Sequence, residues 1–89
     1  MTYQLRFTGD GEEAMYELET NERQRVVQKF MEIINCPFRH PTDWDFVEME
    51  GCAEGRFRIG DMLRVFADVD EHNEVIRVHK IGCRENLYV

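Results

Sequence analysis

The sequence predicts an α+β fold: an N-terminal strand, a two-helix hairpin, then three to four antiparallel strands forming a sheet packed on the helices. Three observations lead there. Apolar residues between positions 22 and 34 recur at steps of three and four, the period of a helix with one buried stripe. Residues 2–7 and 55–69 instead alternate apolar and polar, the period of a half-buried strand. The later strand-like runs are joined by short turns, which make antiparallel neighbours.

In chain order, Tyr3, Leu5 and Phe7 alternate with Thr2, Gln4 and Arg6 as a first strand, broken by Thr8-Gly-Asp-Gly. Asp10 followed by Glu13 resembles a capping box, predicting a short helix to about Leu18 that buries Ala14, Met15 and Leu18. Asn21 with Gln24 predicts a second N-terminus, and Val26, Val27, Phe30, Met31, Ile33 and Ile34 supply the apolar stripe. Pro37 ends that helix near Asn35. Residues 36–45 hold both prolines and form a connecting loop, which Phe38 and Trp44 are expected to pin to the body. Residues 46–50 make a short strand, and residues 51–55 turn into a hairpin centred on Gly60-Asp61. A last strand over residues 74–81, rich in Val75, Ile76, Val78 and Ile81, follows a turn at residues 70–73.

Eighty-nine residues provide one small domain, 1–89, with a single core. No apolar run approaches the roughly 18 residues of a membrane span, and the N-terminus lacks the pattern of a secretory signal. The expected location is cytoplasmic, without membrane association. Three cysteines, Cys36, Cys52 and Cys83, form neither a disulfide framework nor a zinc knuckle by spacing, and reduced thiols are expected. A zinc site from Cys36 and His40 with Cys52 or Cys83 is disfavoured because Pro37 breaks the helix that would align the first two. No metal or other cofactor is expected.

The formal net charge is −7, and its distribution decides what it means. Residues 1–54 carry 12 acids and 5 bases, a balance of −7, whereas residues 55–89 carry 6 of each. Into that balanced part fall Arg56, Arg58 and Arg64. Arg56 and Arg58 share one strand face, with Phe57 and Ile59 opposite; beyond the turn Leu63, Val65, Ala67 and Val69 alternate with Arg64, Phe66 and Asp68. A closed hairpin gathers guanidinium groups that match phosphate or carboxylate. The alternative is a solvated sheet face on which the arginines pair with Asp61, Asp68 and Glu48.

Residues 55–61 read Gly-Arg-Phe-Arg-Ile-Gly-Asp, residues 64–66 Arg-Val-Phe, and residues 80–88 Lys-Ile-Gly-Cys-Arg-Glu-Asn-Leu-Tyr. In this order, behind an initial strand and a helical hairpin, the chain resembles the RelE/ParE toxin superfamily of toxin–antitoxin systems along essentially its whole length. Three departures stand out. Met62 and Leu63 occupy a place where one aromatic is usual, Cys83 replaces a frequent histidine, and the chain ends one residue after Tyr88, without the extra C-terminal helix of some members. The acidic net charge is also unusual for such toxins.

The resemblance implies a type II toxin of the RelE kind: a metal-independent endoribonuclease that cuts mRNA in the ribosomal A site and so inhibits translation. It also implies a cognate antitoxin, with a toxin–antitoxin hetero-oligomer. Such cleavage uses the ribose 2′-hydroxyl as nucleophile and needs a base, stabilisation of a phosphorane and a proton for the leaving oxygen. By resemblance Arg58 and Arg64 are phosphate and transition-state ligands, Arg84 a third near the leaving group, and Tyr88 a stacking or proton-transfer group. Arg56 and Lys80 would steer the RNA backbone. Free tyrosine titrates near ~10, so Tyr88 as base requires strong perturbation, and His79 on the last strand has no assigned role. The alternative is a non-nucleolytic protein of the same fold, either a ParE-like gyrase inhibitor or a degenerate antitoxin-binding module, which the net charge favours.

Overall fold

The computed structural model describes residues 3–36, 38–49, 51 and 53–83. Five strands form one mixed sheet in the order β1-β5-β4-β3-β2. These are β1 (Gln4–Phe7), β2 (Phe46–Glu48), β3 (Gly55–Ile59), β4 (Leu63–Asp70) and β5 (Val75–Cys83). Helices α1 (Gly9–Glu17) and α2 (Thr20–Asn35) lie between β1 and β2, and a single 3₁₀ turn spans Pro41–Asp43. No helix among the described residues is long and apolar enough to cross a membrane.

The alternation read in the hairpin holds residue by residue. Phe57, Ile59, Leu63, Val65, Ala67 and Val69 join Val26, Phe30, Ile33 and Ile34 of α2 and Ile76, Val78 and Ile81 of β5 in one core. Leu5, Phe7, Ala14, Met15, Leu18, Trp44 and Phe46 pack on its edge. The Phe57 ring stands edge-on to Phe30 at 5.2 Å and tilted against Phe46 at 4.7 Å, tying sheet to helix at one point. The helices cover one face of the sheet, and the polar positions of the strands occupy the other. The hairpin turn runs over Gly60, Asp61 and Met62, with Gly60 at φ 65°, a value glycine adopts without strain.

Several expectations are corrected. The first helix is capped by Thr8, not Asp10: the Thr8 hydroxyl accepts from the Gly11 N–H at 3.0 Å, and Asp10 falls in the first turn. The second starts before Asn21, with Glu19 at the cap and its N–H donating to the Glu22 carboxylate at 3.3 Å. Val27 and Met31 are 41% and 42% exposed, so the buried stripe is narrower than the sequence implied. A single sheet face contacts only one line along α2. Phe38 is 92% exposed and does not pin the loop; of the two aromatics, Trp44 is the one that packs on the core.

Two features came from outside the local pattern. Strand β1 pairs in parallel with β5, from Gln4↔Val75 to Phe7↔Val78. Strand β5 is bulged: Phe66 pairs Lys80, but Ala67 pairs Val78, leaving His79 over. The Val78 carbonyl at this bulge accepts from the Thr8 N–H at 3.0 Å and hydroxyl at 3.3 Å. A Cβ on Gly11 would lie 2.1 Å from that carbonyl oxygen, so α1 begins directly on the bulge because residue 11 has no side chain. Arg23 of α2 closes the helical corner, donating from Nε to the Met15 carbonyl (3.0 Å) and from one terminal nitrogen, Nη2, to the carbonyls of Tyr16 (3.1 Å) and Leu18 (3.0 Å).

Candidate functional site

On the face opposite the helices the strand register sets charged residues in rows. Arg58 and Arg64 are direct cross-strand partners, and Gly82 continues their row on β5. The next row holds Arg56, Phe66 and Lys80. Beyond it come Asp68 and Arg77, with the bulged His79 beside them. Rows on one face are two residues apart, about 6.6–6.8 Å along a strand.

The members differ in freedom. Arg64 is only 7% exposed, and its guanidinium folds back on the hairpin, donating to the Leu63 carbonyl at 2.9 Å and the Asp61 carbonyl at 3.3 Å. These main-chain oxygens hold the guanidinium in place. Arg58 is exposed, and among the described residues its side chain meets no hydrogen-bond or ion-pair partner. Arg56 is half-buried. Lys80 is exposed, with Nζ 6.0 Å from the centre of the Phe66 ring. The register thus brings Arg56, Arg58, Arg64 and Lys80 onto one face. Arg84 and Tyr88 lie outside the described residues.

Asp68, set against the arginines in the solvated-face alternative, is occupied otherwise. Its Oδ2 lies 2.7 Å from His79 Nε2 and its Oδ1 accepts the Glu54 N–H at 2.8 Å. Burial pushes the Asp68 carboxyl up, but the His79 and Glu54 hydrogen bonds and the nearby His79 and Arg77 charges outweigh it, and the group is held below its ordinary value. The Glu54 carboxylate returns a bond by accepting the Val69 N–H at 3.2 Å, which locks β3 to β4 at this end.

This His79–Asp68 pair is the part of the site that sequence reasoning missed. The signal lay in the apolar spacing of β5: Ile76 and Val78 are two apart, Ile81 three further on, and all three are buried. A strand that keeps burying the same face across an odd step must bulge. The bulge turns His79 and Lys80 outward together.

A second polar cluster lies at the far end of the sheet. His40 Nε2 is 3.1 Å from Glu71 and 3.3 Å from the Tyr3 hydroxyl, and its Nδ1 is 2.7 Å from the Thr42 hydroxyl. Burial, then the charges of Glu71, Glu74 and Asp70, raise the Tyr3 hydroxyl above its usual value. Among the described residues no three His, Cys, Asp or Glu side chains gather as a metal-binding group. Cys52 lies outside them.

Comparison with solved structures assigns the architecture. The RelBE2 toxin–antitoxin complex of Mycobacterium tuberculosis contains a chain that superposes with a TM-score of 0.73 at 15% identity, over 94% of this chain and 100% of that one. This is a RelE-like toxin fold. The RelE–RelB complex of Pyrococcus horikoshii gives a TM-score of 0.69 at 24% identity, over 94% of this chain and 97% of that one. The intact Escherichia coli RelBE complex gives 0.68 at 18%, over 90% and 94%. No protein-family model matches the chain, and no curated protein matches its sequence. The RelE-like fold is therefore kept here with fewer than a quarter of residues identical to these three structures.

Proposed function

We propose that this chain is the toxin of a type II toxin–antitoxin pair and cuts mRNA on the ribosome. The observation that carries the reading is the directly opposed Arg58–Arg64 pair on the sheet face away from the helices. Two guanidinium groups set side by side are unfavourable for the isolated fold and suited to the equatorial oxygens of a phosphorane. Arg64, fixed by carbonyl oxygens, is the preorganised member; Arg58 is the accessible one. Arg84 near the leaving oxygen, Tyr88 as stacking or proton-transfer group, and Arg56 and Lys80 along the RNA backbone complete the set.

The structures sharing this fold include toxins held by antitoxins. A cognate antitoxin is accordingly the proposed partner in a hetero-oligomer, with an acidic segment laid over the arginine face. The second reading, a non-nucleolytic gyrase inhibitor or antitoxin-binding module, draws on one observation. The net charge of −7 opposes approach to ribosomal RNA except where the positive patch faces it.

The test uses purified protein, programmed ribosomes and mapping of mRNA 5′ ends. New ends that persist in EDTA and are lost with Arg58→Ala are expected. Intact mRNA with the wild-type protein rejects the nuclease reading and leaves the second.

A further inference from the structure

We propose that His79, oriented by Asp68, is the general base of this face, with Arg77 and Lys80 holding the RNA backbone beside it. The inference rests on the nuclease reading above and supplies the proton acceptor that reading lacks.

The geometry is set by the bulge. In a regular strand that buries Ile76 and Val78, His79 would face outward and Lys80 would turn into the core. With Ala67 paired to Val78 and Phe66 to Lys80, residues 77, 79 and 80 all face away from the helices. Bulges commonly re-aim a side chain in this way beside active sites. Arg77 and Lys80 are exposed and flank the imidazole, so cationic ligands and a proton acceptor come from four consecutive residues. The bulge is fixed from behind by Thr8 and Gly11, which gives the imidazole a rigid base.

The hydrogen bond fixes the tautomer. An ionised carboxylate only accepts, so the 2.7 Å contact places the hydrogen of neutral His79 on Nε2 and its lone pair on Nδ1. Among the described residues Nδ1 has no partner. Side-chain exposures of 25% and 26% for His79 and Asp68 leave the pair reachable yet sheltered. This is the general arrangement in which a carboxylate orients an imidazole and stabilises its protonated form.

In the step, Nδ1 takes the proton of the ribose 2′-hydroxyl. The 2′-oxygen then bonds to phosphorus, the P–O5′ bond breaks, and the 5′-oxygen leaves with its electron pair and is protonated by water. The products are a 2′,3′-cyclic phosphate and a 5′-hydroxyl, and His79 returns its proton to solvent. The charged groups around the imidazole are Asp68 on β4, Arg77 and Lys80 on β5, Glu54 on β3 through its bond to Asp68, and Arg6 on β1 opposite Arg77.

The experiment measures cleavage on programmed ribosomes against pH for the wild type, His79→Gln, His79→Ala with added imidazole, and Arg58→Ala, alongside ribosome binding. Loss of about 10²-fold or more in His79→Gln with binding retained, loss of one inflection of the pH profile, and rescue of His79→Ala by imidazole are expected. Cleavage by His79→Gln within about threefold of wild type, or a His79→Ala variant that imidazole leaves inactive, overturns the inference. If Arg58→Ala still abolishes cutting, the nuclease reading survives that result. A wild-type protein that does not cut overturns both.

Discussion

Arg58 and Arg64 face each other directly across the β3–β4 ladder. Like charges so placed destabilise a sheet by about 0.2–1 kcal/mol relative to a neutral pair. Arg58→Thr, at an exposed site, should therefore raise stability by about that amount while lowering mRNA cleavage by about 10²–10³-fold. Chemical denaturation and ribosome-dependent cleavage measure the two effects. Unchanged or lower stability with full cleavage contradicts the assignment of this pair to phosphate binding.

Gly11 against the Val78 carbonyl makes a second sharp prediction. Gly11→Ala places a carbon where 2.1 Å is available against main chain, which cannot step aside as a side chain would. The expected cost is about 1–3 kcal/mol, a fall in Tm of roughly 4 °C or more. Because the same carbonyl lies at the bulge, the variant should also disturb the His79–Asp68 contact, seen as a shift of the His79 ring resonances. A Tm within about 2 °C of wild type contradicts so close an approach.

What the sequence revealed and hid follows from the range of each interaction. Helix α2 and the β3–β4 hairpin were legible because period and turn lie within a few residues. Cap positions slipped because Thr8, Asp10, Glu19 and Asn21 are all competent near a helix start, and only packing on β5 selects Thr8. The parallel pairing of β1 with β5 joins residues about 70 apart and leaves no local trace. Val27 and Met31 fit a helical stripe, yet a flat sheet buries a thinner line than a bundle would. At the site, the faces of Arg56, Arg58 and Arg64 followed from alternation, whereas Lys80 reaches the same face only through the bulge. The bulge broke that alternation at His79, so the residue stood without a role until its partner was visible.

The helical corner depends on Arg23. Its guanidinium brings a cation to the C-terminus of α1, which has no basic residue in its own last turn, and satisfies three carbonyls there. Arg23→Ala should cost about 1–2 kcal/mol, and Arg23→Lys should recover only part of it, since an ammonium cannot reproduce the fork. Urea unfolding with an unchanged m-value is the measurement. Full recovery by lysine rejects the fork and leaves a simple charge effect.

Asp68 links stability to acid. Its folded carboxyl is held below the ordinary value, first against the opposing effect of burial, by His79, the Glu54 N–H and Arg77. A depressed carboxyl contributes stability that is present above its unfolded value, near ~3.9, and is lost as pH falls through the folded value. Asp68→Asn should thus be less stable than wild type at neutral pH, with the gap closing below about pH 4. Thermal unfolding across that range checks it. A gap that widens in acid gives the sign as wrong.

The salt dependence of RNA binding tests how local the positive face is. If Arg56, Arg58, Arg64 and Lys80 meet four phosphates of a single strand, log Kd should change with log salt by a slope of about 3, since each contact contributes about 0.7. The twelve acids in residues 1–54 cannot deepen that slope. Their repulsion is screened by the same salt, so the measured value should lie at or below it. Lys80→Ala should lower the slope by about 0.7 and weaken binding nearly equally across RNA sequences, as expected of a backbone contact. Titration of a labelled oligonucleotide across salt concentrations gives both numbers. A slope untouched by Lys80→Ala removes that residue from the RNA path, and with it one of the two cations assigned to the RNA backbone beside His79.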